Sequence, residues 1–142
     1  MRLLILGAGG FIGGHLVAEL RRRGHTRIRA VDVKPLDHWY QRFDDVDNRS
    51  ADLSLLDACH ESSRGVRYVF NLAADMGGMG FISVNHGLIL HNNALINIHT
   101  LEAARQSKVK RYLFTSSACI YPVFKQIDTN VVPLKEEDAY PA

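Results

Sequence analysis

The stretch Gly7-Ala8-Gly9-Gly10-Phe11-Ile12-Gly13 decides the fold. It separates a short apolar run, Arg2–Leu6, from a segment, Phe11–Arg23, in which Phe11, Ile12, Leu16, Val17 and Leu20 recur at helical spacing up to Gly24. A strand that breaks into glycine and opens directly into a helix forms a tight turn, leaves room for phosphates against bare backbone, and packs the helix closely on its sheet. The first turn of that helix offers unpaired N–H groups and a partial positive charge to an anion. An acidic residue follows at the matching distance: Asp32 ends a second strand, Arg27–Val33, 19 residues after Gly13. Its carboxylate is placed to accept hydrogen bonds from adenosine ribose hydroxyls and to repel a 2′-phosphate. That favours NAD over NADP, with Lys34 arguing the other way.

Moving outward, strands and helices alternate. Arg49–Leu53 reads as a third strand, Ser54 as the cap of a helix running to about Ser62, and Arg67–Leu72 as a fourth strand. A long helix is expected over Asn85–Ser107, with Leu88, Leu95, Ile98, Leu101 and Ala104 on its apolar side, and a fifth strand over Arg111–Ser116. Pro35–Asn48 has no clear period and reads as a surface loop; residues 122–142 read as an irregular tail. Such alternation predicts an α/β fold, a doubly wound parallel sheet with right-handed crossovers, in one dinucleotide-binding domain over residues 1–142.

Composition narrows the classes. The chain has 142 residues, 46% hydrophobic and 23% charged, which suits a packed globular domain. A net charge of +2 gives no warrant for a nucleic-acid or membrane partner. Arg21-Arg22-Arg23 before Gly24 reads as favourable cation placement at a helix C-terminus. Two cysteines, Cys59 and Cys119, form no CxxC pair, and no pair among seven histidines has metal-ligand spacing, so neither a disulfide framework nor a metal site is expected. With no cleavable leader after Met1–Leu6 and no window of transmembrane length, a cytoplasmic location is expected.

In an open parallel sheet the ligand crevice lies outside the carboxyl ends of the strands. Two further segments reach it: Ala73-Ala74-Asp75-Met76-Gly77-Gly78-Met79-Gly80-Phe81-Ile82 after the fourth strand, and Ser116-Ser117-Ala118-Cys119-Ile120-Tyr121-Pro122 after the fifth. Together they resemble the GDP-mannose 3,5-epimerases, members of the extended short-chain dehydrogenase/reductase superfamily, whose GxxGxxG form the first turn also fits. The resemblance implies that NAD oxidises the 4-hydroxyl of a mannosyl ring to a ketone, which acidifies carbons 3 and 5. A base then removes each proton, an acid returns one to the opposite face, and hydride goes back from the reduced cofactor. It implies catalytic roles for Cys119, as one of the ring acid/base pair, and for Ser117, which bonds the reacting hydroxyl. A free thiol, with a pKa near ~8.5, is suited to that work. Cofactor contacts are implied at Gly7, Gly10, Phe11, Ile12, Gly13, Asp32, Asp52, Leu53, Leu72, Ala73, Ala74, Asn92 and Ser116. Substrate contacts are implied at Gly77, Gly78, Met79, Ser117, Ala118 and Cys119. Asp52 matches the aspartate that meets the adenine, although as a residue it reads equally as a helix cap. Asn92 or Asn93 matches an asparagine facing the cofactor. Cys59 belongs to no matching motif and reads as a small buried hydrophobe.

The superfamily hallmark is Tyr-x-x-x-Lys on a helix beside the nicotinamide. Tyr121-Pro122-Val123-Phe124-Lys125 fits the string but follows the fifth strand directly and contains Pro122, so it is rejected. The working pair in the resembling enzymes comes after a segment similar to Lys135–Ala142, which leads to the expectation that this sequence is the N-terminal part of a longer enzyme and inactive alone. Other readings stay open: a different nucleotide-sugar epimerase or dehydratase of the superfamily, and a non-catalytic dinucleotide-binding module. A homodimer through the long helix is a further implication.

Overall fold

A computed structural model of the chain describes residues 2–117, 120–125 and 133–140. Five parallel strands form one sheet in the order β3-β2-β1-β4-β5: β1 Leu3–Leu6, β2 Ile28–Asp32, β3 Asp47–Ser50, β4 Tyr68–Asn71 and β5 Arg111–Phe114. The helices are α1 Phe11–Arg22, α2 Leu56–Ser63, α3 Met79–Val84 and α4 His86–Gln106. This is the doubly wound arrangement expected from the alternation.

The strands are apolar because both faces are covered. On one face Leu4, Leu6, Val31 and Val69 pack with Leu53, Cys59, Val66, Ala103 and Ala104 beneath α2 and α4. On the other, Leu3, Ile5, Ile28 and Ala30 pack with Val17 of α1 and with Trp39 and Val46. Leu4, Ile5 and Val31 are fully buried, and each such side chain contributes about 1.5–3 kcal/mol of burial.

Several sequence expectations are corrected. Pro35–Asn48 is packed structure: Trp39 and Val46 are core residues, and β3 begins at Asp47, two residues before the expected start and ending at Ser50. An ion pair fixes that register. Buried Arg29 of β2 meets Asp47 at 2.8 Å and also donates to the carbonyl oxygens of Ser62 and Arg64 at 2.6 and 3.1 Å, anchoring the end of α2. The Arg49 guanidinium, with Arg29 behind it, holds the Asp47 carboxyl down at about 2. Ser54 does not cap α2; Leu55 occupies that position, and Asp52 organises the turn instead.

In α4 the large apolar residues lie outward: Leu88, Ile98 and Leu101 are more than half exposed, while Thr100, Ala103 and Ala104 are buried. α4 packs closely beside α2 over the sheet, and small side chains fill its inner face. The glycine-rich stretch after β4 contains an unexpected short helix, α3.

Candidate functional site

An open cleft of about 570 Å³ lies at the carboxyl ends of the strands, within the range of small-molecule sites. Its base is the turn between β1 and α1. Gly7 has φ +79, and a Cβ there would stand 2.8 Å from the Leu72 carbonyl, so β4 approaches this turn as closely as bare backbone permits. A Cβ at Gly13 would come within 2.2 Å of the Gly7 oxygen, which lets α1 start directly against the turn. Gly10 ends that turn without a capping side chain, leaving the N–H groups of Phe11, Ile12 and Gly13 directed out of the helix end. The side chains of Phe11 and Ile12 are 61% and 69% exposed and do not line the cleft, so what these residues have to offer it is backbone N–H.

Asp32 forms the next wall. It is buried, and both carboxylate oxygens are engaged: Oδ2 accepts from Gly9 N at 2.9 Å and Oδ1 from Lys34 N at 3.0 Å. Trp39 packs beside Gly9, with Nε1 donating to the Lys34 carbonyl at 3.0 Å, and Tyr40 N donates to the Gly9 carbonyl at 3.1 Å. Lys34 lines the cleft beside Asp32. Asp52 lines it too while its Oδ1 accepts from Ser54 N at 2.9 Å, so the capping and ligand-facing readings describe one carboxylate. Leu53 joins the same wall.

The opposite wall hangs from Asn71. This fully buried side chain donates to Tyr112 Oη at 2.8 Å and Asn97 Oδ1 at 3.1 Å, and accepts from Ala73 N at 3.2 Å. Its main-chain oxygen accepts from Thr115 N and Oγ1 at 3.2 and 3.0 Å. One residue thereby fixes the chain leaving both β4 and β5. Leu72, Ala73 and Ala74 then line the cleft, followed by Asp75 and Met76. The asparagine pair of α4 divides its work. Asn93 grips the Asp75 peptide, accepting from its N–H at 2.8 Å and donating to its carbonyl at 2.9 Å. Asn92, which lines the cleft, donates to the Asp75 carboxylate at 2.7 Å.

The structure thus brings Gly7, Gly10, Asp32, Asp52, Leu53, Leu72, Ala73, Ala74 and Asn92 to one cleft. Gly77 and Gly78 follow beyond Met76 without lining it: the Phe81 ring packs on Gly77, and Gly78 starts α3, whose first residue is Met79. Ser116 and Ser117 are exposed just past β5, anchored by Thr115, and are not part of the cleft wall. Ala118 and Cys119 lie outside the described residues. Cys59 is the buried free cysteine; burial, with the Asp52 charge adding, pushes its thiol up to about 12. Val123–Lys125 is a single 3-10 turn and Lys125 pairs with Asp138, so the Tyr121…Lys125 string does not lie on an α-helix. Among the described residues no three His, Cys, Asp or Glu side chains group to hold a metal, and no helix is long and apolar enough to cross a membrane.

The donor set fits a dinucleotide: exposed N–H groups at a helix start for phosphates, and a buried carboxylate held by two backbone N–H groups for a ribose. Trp39 and Asn71 build the site although no motif marks them, and Asn93 holds the Asp75 peptide beside Asn92.

Comparison with known proteins bears on this geometry. A model of the NAD dependent epimerase/dehydratase family matches residues 3–142. The chain is 51% identical over 142 residues to GDP-mannose 3,5-epimerase 1 of Oryza sativa subsp. japonica and 46% to GDP-mannose 3,5-epimerase of Arabidopsis thaliana. In each case it aligns over its whole length and spans 37% of the relative. Among solved structures, MoeE5 in complex with UDP-glucose and NAD superposes with a TM-score of 0.72 at 32% identity, over 86% of this chain and 38% of that one. The UDP-glucose 4-epimerase of Thermus thermophilus, in complex with NAD, gives 0.70 at 26% identity, over 82% and 38%.

Proposed function

Because the chain belongs to the NAD dependent epimerase/dehydratase family, we propose that it is the N-terminal, NAD-binding part of a nucleotide-sugar epimerase acting on GDP-mannose. The observation that carries this reading is the whole-chain identity of 46–51% with GDP-mannose 3,5-epimerases, joined to a cleft whose donors suit a dinucleotide. Bound NAD supplies a reversible hydride acceptor for the sugar 4-hydroxyl. The chain's residues do the rest. The N–H groups of Phe11, Ile12 and Gly13 would bind pyrophosphate, Asp32 would accept the adenosine ribose hydroxyls, and Asp52 with Leu53 would bound the adenine. Leu72, Ala73, Ala74, Asn92 and Ser116 would line the path to the nicotinamide.

On the sugar side, Ser117 would hydrogen-bond the reacting hydroxyl, and Cys119 would carry a ring proton as one of the acid/base pair. Gly77, Gly78, Met79 and Ala118 would bring main chain against the sugar. A cytoplasmic setting and a homodimer belong to the same reading. The dimer is supported by the outward apolar residues of α4, where Leu90, Ile98 and Leu101 are 72%, 62% and 54% exposed.

The test is incubation of the whole protein with GDP-mannose in deuterated water. Conversion to GDP-galactose and the 5-epimer with deuterium entering the ring is expected. Ring oxidation without deuterium exchange would remove the 3,5-epimerase assignment and leave a different nucleotide-sugar enzyme.

A further inference from the structure

The opposite edge of the sheet, where the strands begin, carries an unusual charge arrangement. Strand register pairs Leu3 with Ile28 and Tyr68, and Tyr68 with Arg111. The residues one step earlier therefore form a row across four adjacent parallel strands: Arg27, Arg2, Arg67 and Lys110. The ladder continues through them, with Leu3 N donating to Arg27 O, Arg67 N to Arg2 O and Lys110 N to Arg67 O. Adjacent strands lie about 4.8 Å apart, and like charges set side by side are destabilising.

Most other arginines of the chain answer to a carboxylate: Arg21 to Asp45, Arg22 and Arg23 to Glu19, Arg29 and Arg49 to Asp47, Arg105 to Glu102. Arg2, Arg27, Arg67 and Lys108 form no ion pair among the described residues. These four instead surround one concavity of about 490 Å³ that contains no acidic side chain.

A separate observation concerns Lys108. Among the described residues it is the non-glycine residue with positive φ, 53°, immediately after α4. Glycine is the ordinary occupant of that helix-ending position, and a longer side chain there is strained. The strain places a fourth cation over the same concavity. The carbonyl ends of α2 and α4 face this edge and offset part of the repulsion, each carrying about half a negative charge against four full positive ones.

We propose that this concavity is a second anion site, separate from the cofactor cleft, which takes an oligophosphate group through Arg2, Arg27, Arg67 and Lys108. Three guanidinium forks and one ammonium suit the several oxygens of a phosphate chain, and the open mouth admits either a free oligophosphate or the phosphate tail of a nucleotide.

The test titrates the whole protein, saturated with NAD, with inorganic triphosphate at low salt. Binding is expected, falling steeply as salt rises. Arg67→Gln and Arg2→Gln should each weaken it about fivefold, with turnover unchanged. Lys108→Gly separates a ligand role from a structural one: it should weaken triphosphate binding yet raise Tm in phosphate-free buffer by about 2–4 °C, since strain and repulsion are relieved together. ATP in place of triphosphate distinguishes the sources. Equal affinity assigns the site to the phosphate chain alone, and tighter ATP binding that is still lost in Arg67→Gln assigns it to a nucleotide. No triphosphate binding, binding unaltered in all three variants, or a lowered Tm in Lys108→Gly overturns the proposal.

Discussion

The two walls of the cleft are built differently. Around Gly7–Gly13 and Asp32 the geometry resides in backbone: Cβ atoms are excluded at Gly7 and Gly13, and Asp32 is held by two main-chain N–H groups, with Trp39 packed beside Gly9 and bonded to the Lys34 carbonyl. Across the cleft, the segments leaving β4 and β5 are mostly exposed, with Met76 at 65%, and they depend on side chains from elsewhere: Asn71 beneath both, and Asn92 and Asn93 reaching over from α4. The Gly7–Asp32 wall is therefore set by chain geometry, whereas the wall across from it is suspended from a few amides. One follows from local sequence; the other needs the assembled fold.

The severest challenge to the backbone wall is Gly13→Ala. The new Cβ meets a main-chain oxygen that has nowhere to yield, so stability should fall by about 3 kcal/mol and NAD affinity by about 100-fold. Urea unfolding and calorimetry read the two numbers, and near-native NAD binding would show that the turn is not the rigid element described. For the suspended wall the matching variant is Asn71→Leu. It strands the Ala73 N–H and takes away one of the two partners of the Tyr112 hydroxyl, which keeps Thr100 Oγ1 at 2.8 Å, at a cost of about 2 kcal/mol. Its signature is a loss of NAD affinity with the affinity for ADP, which reaches the Gly7–Asp32 wall alone, unchanged; an equal loss of both would erase the distinction between the walls.

The smallest effect comes from beneath the cleft, at Cys59. Its folded pKa of about 12 lies above the ordinary 9.0, so the stability gained from keeping the thiol neutral is complete below pH 9 and drains away as pH climbs towards 12. Between pH 9 and 11 the native protein should lose about 1 kcal/mol per pH unit more than Cys59→Ala. Parallel stability curves for the two would mean that the thiol is not desolvated.

How much of this was legible before folding follows the same division. Gly7, Gly10, Gly13 and Asp32 announce themselves because their partners are close in sequence or a fixed strand length away. Trp39 does not: it stands in an aperiodic charged stretch, and its value lies in packing beside Gly9 and holding the Lys34 carbonyl. On the expected apolar side of α4, Ala104 is buried but Leu88, Ile98 and Leu101, the obvious hydrophobes, lie outward, because packing beside α2 over the sheet takes alanine and threonine. Phe11 and Ile12 stand out in the sequence as residues, yet their side chains face away from the cleft and leave it main chain alone. Asn92 was selected, while the firmer grip on Asp75 belongs to Asn93, and sequence alone cannot rank two neighbouring amides.

The most direct trial of the prebuilt cofactor wall is calorimetric titration of the whole protein with NAD and with NADP, native against Asp32→Asn. The native protein should prefer NAD, and the variant should bind NAD about tenfold more weakly and lose its preference over NADP. An Asp32→Asn protein that binds NAD as tightly as the native one, with the same preference, would contradict the assignment of that carboxylate and of the wall it organises.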